Sequence, residues 1–194
     1  MMTQIEWRSN LSRDLVAFEN SRPLSDFENP EEQAVVWAHQ ISLDDICEEI
    51  CVIGGGAGYH IEALLKAYPG KKITVLDSRP SLISFLKKKY PQVDFIHIEK
   101  IENLKNLDNI HHFLTAKVQK LMFKPAIGYQ AEILEEVYWF LNLRTYDALS
   151  FHLNKKIEGK SQVLISFKQF VQHVDAQYTD YTNAEIQTLK EMIR

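Results

Sequence analysis

Three glycines at alternate positions, Gly54, Gly56 and Gly58, follow directly on the apolar run Ile50-Cys51-Val52-Ile53. Glycine lets a backbone turn sharply and lets a ligand approach with no Cβ in the way. A loop that opens a helix also points free N–H groups into the crevice at the strand ends. Asp77 closes the next apolar run, 23 residues after Gly54, and Glu99 closes the one after that. A carboxylate at the Asp77 position can accept both hydroxyl hydrogen bonds of a ribose, which are short and charge-assisted. Spacing discriminates between ligands. The dinucleotide fingerprint G-x-G-x-x-G requires a third glycine where Tyr59 stands, or, counted from Gly56, where Ile61 stands. The pattern present is G-x-G-x-G.

Other candidates carry less. Tyr59 and His60 open the helix after the loop. They either line the crevice, with His60 as a base, or cover the helix N-terminus. His111 and His112 are adjacent, so on a helix or strand they point apart and do not share one ion. Cys47 and Cys51 have no second cysteine pair to complete a tetrahedral metal set, and no metal is expected. Ser150, Ser161 and Ser166 lack the G-x-S-x-G setting of a hydrolase elbow. No G-x-x-x-x-G-K-[ST] phosphate loop is present. The Glu135-Glu136 pair reads as a solvated face.

The elements that position these residues are legible between 49 and 98. Apolar runs at 50–53, 73–76 and 93–98 alternate with helical patterns. One is Ile61, Leu64, Leu65 and Tyr68; the other is Leu82, Phe85 and Leu86 behind Pro80. Pro69-Gly70 and Tyr90-Pro91 end the helices. The order β-α-β-α-β with short links gives parallel strands joined by right-handed crossovers. Further on, Val118–Phe123 reads as a fourth strand and Lys124–Tyr129 as a loop. A long helix is expected over roughly residues 130–153, then a fifth strand at Val163–Phe167. Thr182-Asn183-Ala184-Glu185 has capping-box spacing before a last helix. The fold class expected is α/β, a doubly wound, mostly parallel sheet of about five strands with helices on both faces. It occupies residues 46–194 behind an N-terminal helical extension, 1–45, in which Asn29 caps and Pro30 starts a helix.

Residues 49–104 resemble the first part of the class I S-adenosylmethionine-dependent methyltransferases, a Rossmann-like family. The likeness rests on G-x-G-x-G at Gly54, Gly56 and Gly58, on the acid Asp77 and on Phe95-Ile96-His97-Ile98-Glu99. It implies a shortened methyltransferase fold with S-adenosylmethionine as cofactor. Gly54, Gly56 and Gly58 would accommodate the methionine and ribose portion, Asp77 would bind the ribose hydroxyls, and Glu99 would approach the adenine. The acceptor would be a small molecule, because Lys124–Tyr129 has no Asn or Asp for amino-group methylation and no Pro-Cys pair is present. No catalytic residue is assigned. A narrower stretch, Gly56-Ala57-Gly58-Tyr59-His60-Ile61, resembles the N-terminal part of motility accessory factor proteins, linked to flagellin glycosylation. That kinship implies a non-catalytic or partner-dependent module. Apart from either resemblance, the glycines also read as a turn kept for tight helix–strand packing in a domain without a cofactor.

Composition bounds the rest. The 194 residues are 45% apolar with a formal net charge of -4, enough for a continuous core and without a basic footprint for nucleic acid. No apolar run reaches the roughly 18 residues of a membrane span, and no signal peptide is expected. Two cysteines make a disulfide framework improbable, and the cytoplasm is the expected compartment. Trp139, Phe140 and Leu143 add apolar residues beside the main helical stripe, which points to a second contact, a homo-oligomer or a protein partner.

Overall fold

A computed structural model describes residues 4–157. The expected fifth strand and last helix, at 163–167 and from Thr182, lie outside the described residues. The chain divides into two compact units, residues 1–138 and 139–194.

The first unit holds a four-stranded parallel sheet flanked by helices, an α/β arrangement. Its strands are β4 (Glu49–Ile53), β5 (Lys72–Asp77), β6 (Asp94–His97) and β7 (Val118–Met122), in the order β6-β5-β4-β7. All three pairings are parallel, with Ile50 opposite Ile73 and Gln119, and Thr74 opposite Asp94. β4 is central and wholly buried, which is why it reads as a continuous apolar run rather than an alternation. The crossovers are α2 (Tyr59–Ala67) and α3 (Pro80–Lys89), followed by the short helices α4 (Ile101–Lys105) and α5 (Ile110–Phe113). Strand order reverses between β4 and β7, and in open parallel sheets ligands bind outside the carboxyl ends at such a point.

The N-terminal region departs from expectation. Residues 5–23 are not helical. They form a second, antiparallel sheet of β1 (Ile5–Ser9), β2 (Leu15–Glu19) and β3 (Arg22–Pro23). β1 has Ile5 and Trp7 half-buried and Glu6 and Arg8 exposed, the period-two pattern of a strand with one covered face. Asn20 and Ser21 both take positive φ, 45° and 70°, between paired Glu19 and Arg22. That is a two-residue hairpin turn whose twist suits antiparallel strands. The expected helix follows as α1 (Pro30–His39) with Ala34 and Ala38 buried. Asn29 makes no side-chain cap; Asp26 instead accepts the backbone N–H groups of Glu28 and Asn29.

Two further expectations change. Lys124–Ile127, read as loop, is the short helix α6, ended by Gly128 at φ 61°. The single helix over 130–153 is two, α7 (Ala131–Leu141) and α8 (Tyr146–Ile157). Leu143 at φ 55° breaks the chain, with its N–H donating to the Phe140 carbonyl and that of Arg144 to Trp139. Thr145 then restarts it, its hydroxyl accepting from the Ala148 N–H as an N-cap does.

Candidate functional site

β4 ends where the glycine loop begins, and β5 ends at Asp77 beside it. The structure brings Gly54, Gly56, Gly58 and Asp77 together. The Gly55 N–H donates to Asp77 Oδ2 at 2.6 Å, so the loop and the carboxylate form one unit, as the spacing suggests.

The space around that unit is filled by the protein itself. A Cβ on Gly56 would lie 2.7 Å from Ala126 Cβ and 2.9 Å from the Leu24 carbonyl oxygen, at a backbone φ of +47°. A Cβ on Gly58 would lie 2.8 Å from Leu86 and 2.9 Å from Tyr90. Ala126 belongs to α6, which follows directly on β7, and Leu24 follows on β3. The glycines therefore admit neighbouring backbone and side chains to close contact.

Asp77 is fully buried. Besides Gly55, its carboxylate accepts from Arg79 three times: Oδ1 from the backbone N–H at 2.9 Å and from Nε at 2.7 Å, and Oδ2 from Nη2 at 2.6 Å. Four donors saturate a carboxylate. Arg79 is itself buried, with Nη2 also donating to the Ala126 carbonyl at 2.6 Å. Its Nη1 stands 3.6 Å from Oε2 of the fully buried Glu19. Burial opposes the guanidinium charge, but the carboxylates of Asp77 and Glu19 outweigh it and raise the Arg79 pKa. Glu19 reaches on to the turn before α7, accepting from the Tyr129 N–H at 2.5 Å and from Gln130 Nε2 at 3.2 Å. A buried Asp77–Arg79–Glu19 chain thus ties β5, β2 and the α6–α7 turn together.

His60 is fully buried, and burial pulls its pKa down to about 4. A neutral ring whose Nε2 lies 2.9 Å from the Gly54 carbonyl must carry its proton there, because a carbonyl only accepts. The ring stacks on Phe123 with centroids 4.4 Å apart, and Trp37 packs edge-on against both. His60 therefore fastens the loop to α2 and the end of β7. Tyr59 donates its hydroxyl hydrogen bond to the Leu15 carbonyl, linking the same helix end to β2.

Glu99 is different. Ile98 donates its N–H to the Asp77 carbonyl, so Glu99 lies just past the end of β6, which β5 separates from β4 and its loop. Its side chain is exposed, 3.7 Å from His97 Nε2. Glu49 and His112 meet at the opposite end of β4, where His112 Nε2 and the Thr74 hydroxyl donate to the buried Glu49 carboxylate. Cys47 and Cys51 are unpaired and buried, and burial pushes the Cys51 thiol up to about 12. One surface cavity, about 440 Å³, lies beside β6 and another, about 410 Å³, between α1 and the end of β7; neither is lined by the glycine loop or Asp77. Among the described residues no helix is long and apolar enough to cross a membrane.

Arg79 and Glu19 are the members that sequence reasoning missed. Arg79 stands two residues after Asp77, where an acid–base pair was legible. Glu19 ends the overlooked strand β2, and an alternation beginning at Ile5 would have pointed to it. The class defined by fold and site is an α/β protein with a parallel sheet and a glycine loop at its order reversal. Comparison with protein-family models, with curated proteins and with solved structures finds no match.

Proposed function

We propose that this chain is a doubly wound, Rossmann-like module whose glycine loop serves internal packing, a non-catalytic or partner-dependent unit like the N-terminal part of the motility accessory proteins. One observation carries the reading: the hollow beside Gly56 is taken by Ala126 and Leu24, while all four donors on Asp77 come from Gly55 and Arg79. A ribose would have to displace Arg79 from a bidentate, buried pair, which costs several kcal/mol. The unpaired cysteines support a cytoplasmic setting.

The second reading is an S-adenosylmethionine-dependent methyltransferase of small molecules. Gly54, Gly56 and Gly58 would then lie along the methionine and ribose portion, with Asp77 on the ribose hydroxyls and Glu99 on the adenine. The Gly55–Asp77 hydrogen bond favours it, since that bond holds the acid at the loop. It requires Leu24 and Ala126 to withdraw. Calorimetric titration with S-adenosylmethionine and S-adenosylhomocysteine separates the two. The module reading expects no binding at millimolar ligand. Saturable binding that weakens at least about tenfold in Asp77→Asn, the loss of a charge-assisted hydrogen bond, would replace it with the second.

A further inference from the structure

Glu19 is a carboxylate delivered by one sheet into donors supplied by another part of the fold. The receiving group consists of the Tyr129 N–H, Gln130 Nε2 and the Arg79 guanidinium. Tyr129 and Gln130 form the turn that opens α7, a place where backbone N–H groups favour an anion. Arg79 is only 2% exposed, and its Nη1 has no hydrogen-bond partner, standing 3.6 Å short of Glu19. A buried guanidinium N–H left unbonded has unused capacity for an acceptor. Gly128 completes the receptor, because a Cβ there would collide with Glu19 Oε2. The group sits by α6, next to the reversal in strand order, where open parallel sheets take ligands.

We propose that this is an oxyanion receptor, occupied in the structure by Glu19 as an internal stand-in, and that an external small carboxylate or phosphate takes it when the end of the β2–β3 hairpin withdraws. Glu19 is the last residue of β2, paired with Ile5 of β1 and Arg22 of β3, and β3 spans only two residues, so the hairpin end that delivers Glu19 is held by few ladder bonds although the rest of β2 is held along β1. Arg22 helps to hold it, donating to the Gly128 carbonyl at 3.3 Å. A free oxyanion, not tethered to β2, could settle closer to Arg79 Nη1, which Glu19 does not reach, while keeping the Tyr129 and Gln130 donors. The inference does not rest on either reading of the glycine loop, since it uses neither Asp77 nor an adenosyl ligand.

The test uses the full chain with sodium acetate, inorganic phosphate and, at matched ionic strength, sodium chloride. Glu19→Ala empties the receptor. Its thermal midpoint is expected to fall and then recover saturably with acetate or with phosphate, while chloride has no effect and Glu19→Ala/Arg79→Met shows no recovery. The effective anion identifies the oxyanion class. In the unaltered protein the same anion is expected to speed amide exchange at Glu19–Arg22, and Glu19→Gln is expected to show this at roughly tenfold lower concentration, the weaker hold of an uncharged acceptor. Recovery equal to that in chloride overturns the receptor. Recovery in Glu19→Ala without anion-dependent exchange in the unaltered protein overturns the external ligand. Should Glu19→Ala fail to fold, the exchange measurements on the unaltered protein and Glu19→Gln decide alone.

Discussion

Two buried side chains beside the loop carry charge chemistry that can be measured directly. His60 is neutral in the fold with its pKa pulled to about 4, against an ordinary value of 6.5. Between those values the unfolded chain binds the proton and the folded chain does not, so stability rises with pH through the window and is lost as pH falls from about 6.5 toward 4. The full span corresponds to about 3 kcal/mol. Urea unfolding at stepped pH should show this slope in the unaltered protein and lose that share of it in His60→Gln, whose amide can still donate to Gly54. Asp77→Ala removes the charge that balances Arg79 inside the protein. The expected cost is about 3–5 kcal/mol, the usual penalty for stranding a buried charge. Asp77→Ala/Arg79→Met/Glu19→Gln should recover part of it, because no buried charge is then left without a partner. Denaturant midpoints of the two variants decide the point; equal midpoints would mean that stranding Arg79 costs nothing. The sequence displayed Asp77 plainly as an acid at a strand end. It did not display the saturation of that acid by Arg79, since a carboxylate facing a ligand and one facing an internal cation look alike in a string of residues.

At the scale of elements, contact between α6 and the loop is the decisive packing feature. Gly56→Ala places a Cβ 2.7 Å from Ala126 Cβ at a left-handed φ. Strain and overpacking together should cost roughly 2–4 kcal/mol. In the Ala126→Gly background the clash with Ala126 Cβ is relieved while the 2.9 Å approach to the Leu24 carbonyl and the backbone strain remain, so the two substitutions should be non-additive in a double-mutant cycle. Additive costs would place the clash elsewhere. α8 offers a smaller test. Thr145→Ala removes the hydroxyl that accepts from Ala148 and should cost about 1 kcal/mol, seen as a loss of helical circular dichroism on mild heating. The parallel strands were legible because their apolar runs are bounded by glycine, proline and acids. β1 to β3 were not: β1 is short and half-exposed, β3 spans two residues, and β2, buried from Val16 to Glu19, is too short an apolar run to be told from a helix segment. Helices α7 and α8 read as one because Leu143 and Arg144 are ordinary helix formers, and nothing local announces a left-handed residue there.

For the first unit as a whole, the antiparallel and parallel sheets share one core. Val16, Ala17, Phe18 and Leu24 are buried in the same cluster as Ile50, Val52, Ile61 and Leu82. Trp7 and Phe85 rings lie 4.1 Å apart across it. Residues 5–24 are therefore part of the fold rather than an appendage to it. Amides of β4 and α2 should exchange through the same cooperative opening as one another. Removal of residues 1–28 should shift the unfolding midpoint of that opening by many degrees, because it exposes the apolar face that Val16 and Leu24 cover. A truncated chain with an unchanged midpoint would show that the parallel sheet is self-sufficient.

Gly128 has a further consequence for how this chain can vary. The space its missing side chain leaves is where the tip of Glu19 lies. Shortening the acid would lift that one clash, but a left-handed φ of 61° and Leu24, 2.6 Å from the missing Cβ, would still hold the turn to glycine. Natural drift is therefore coupled in one direction: position 19 is free to lose its acid, while a side chain at position 128 would expel both the acid and Leu24. A collection of diverged copies should keep glycine at position 128 whatever stands at position 19.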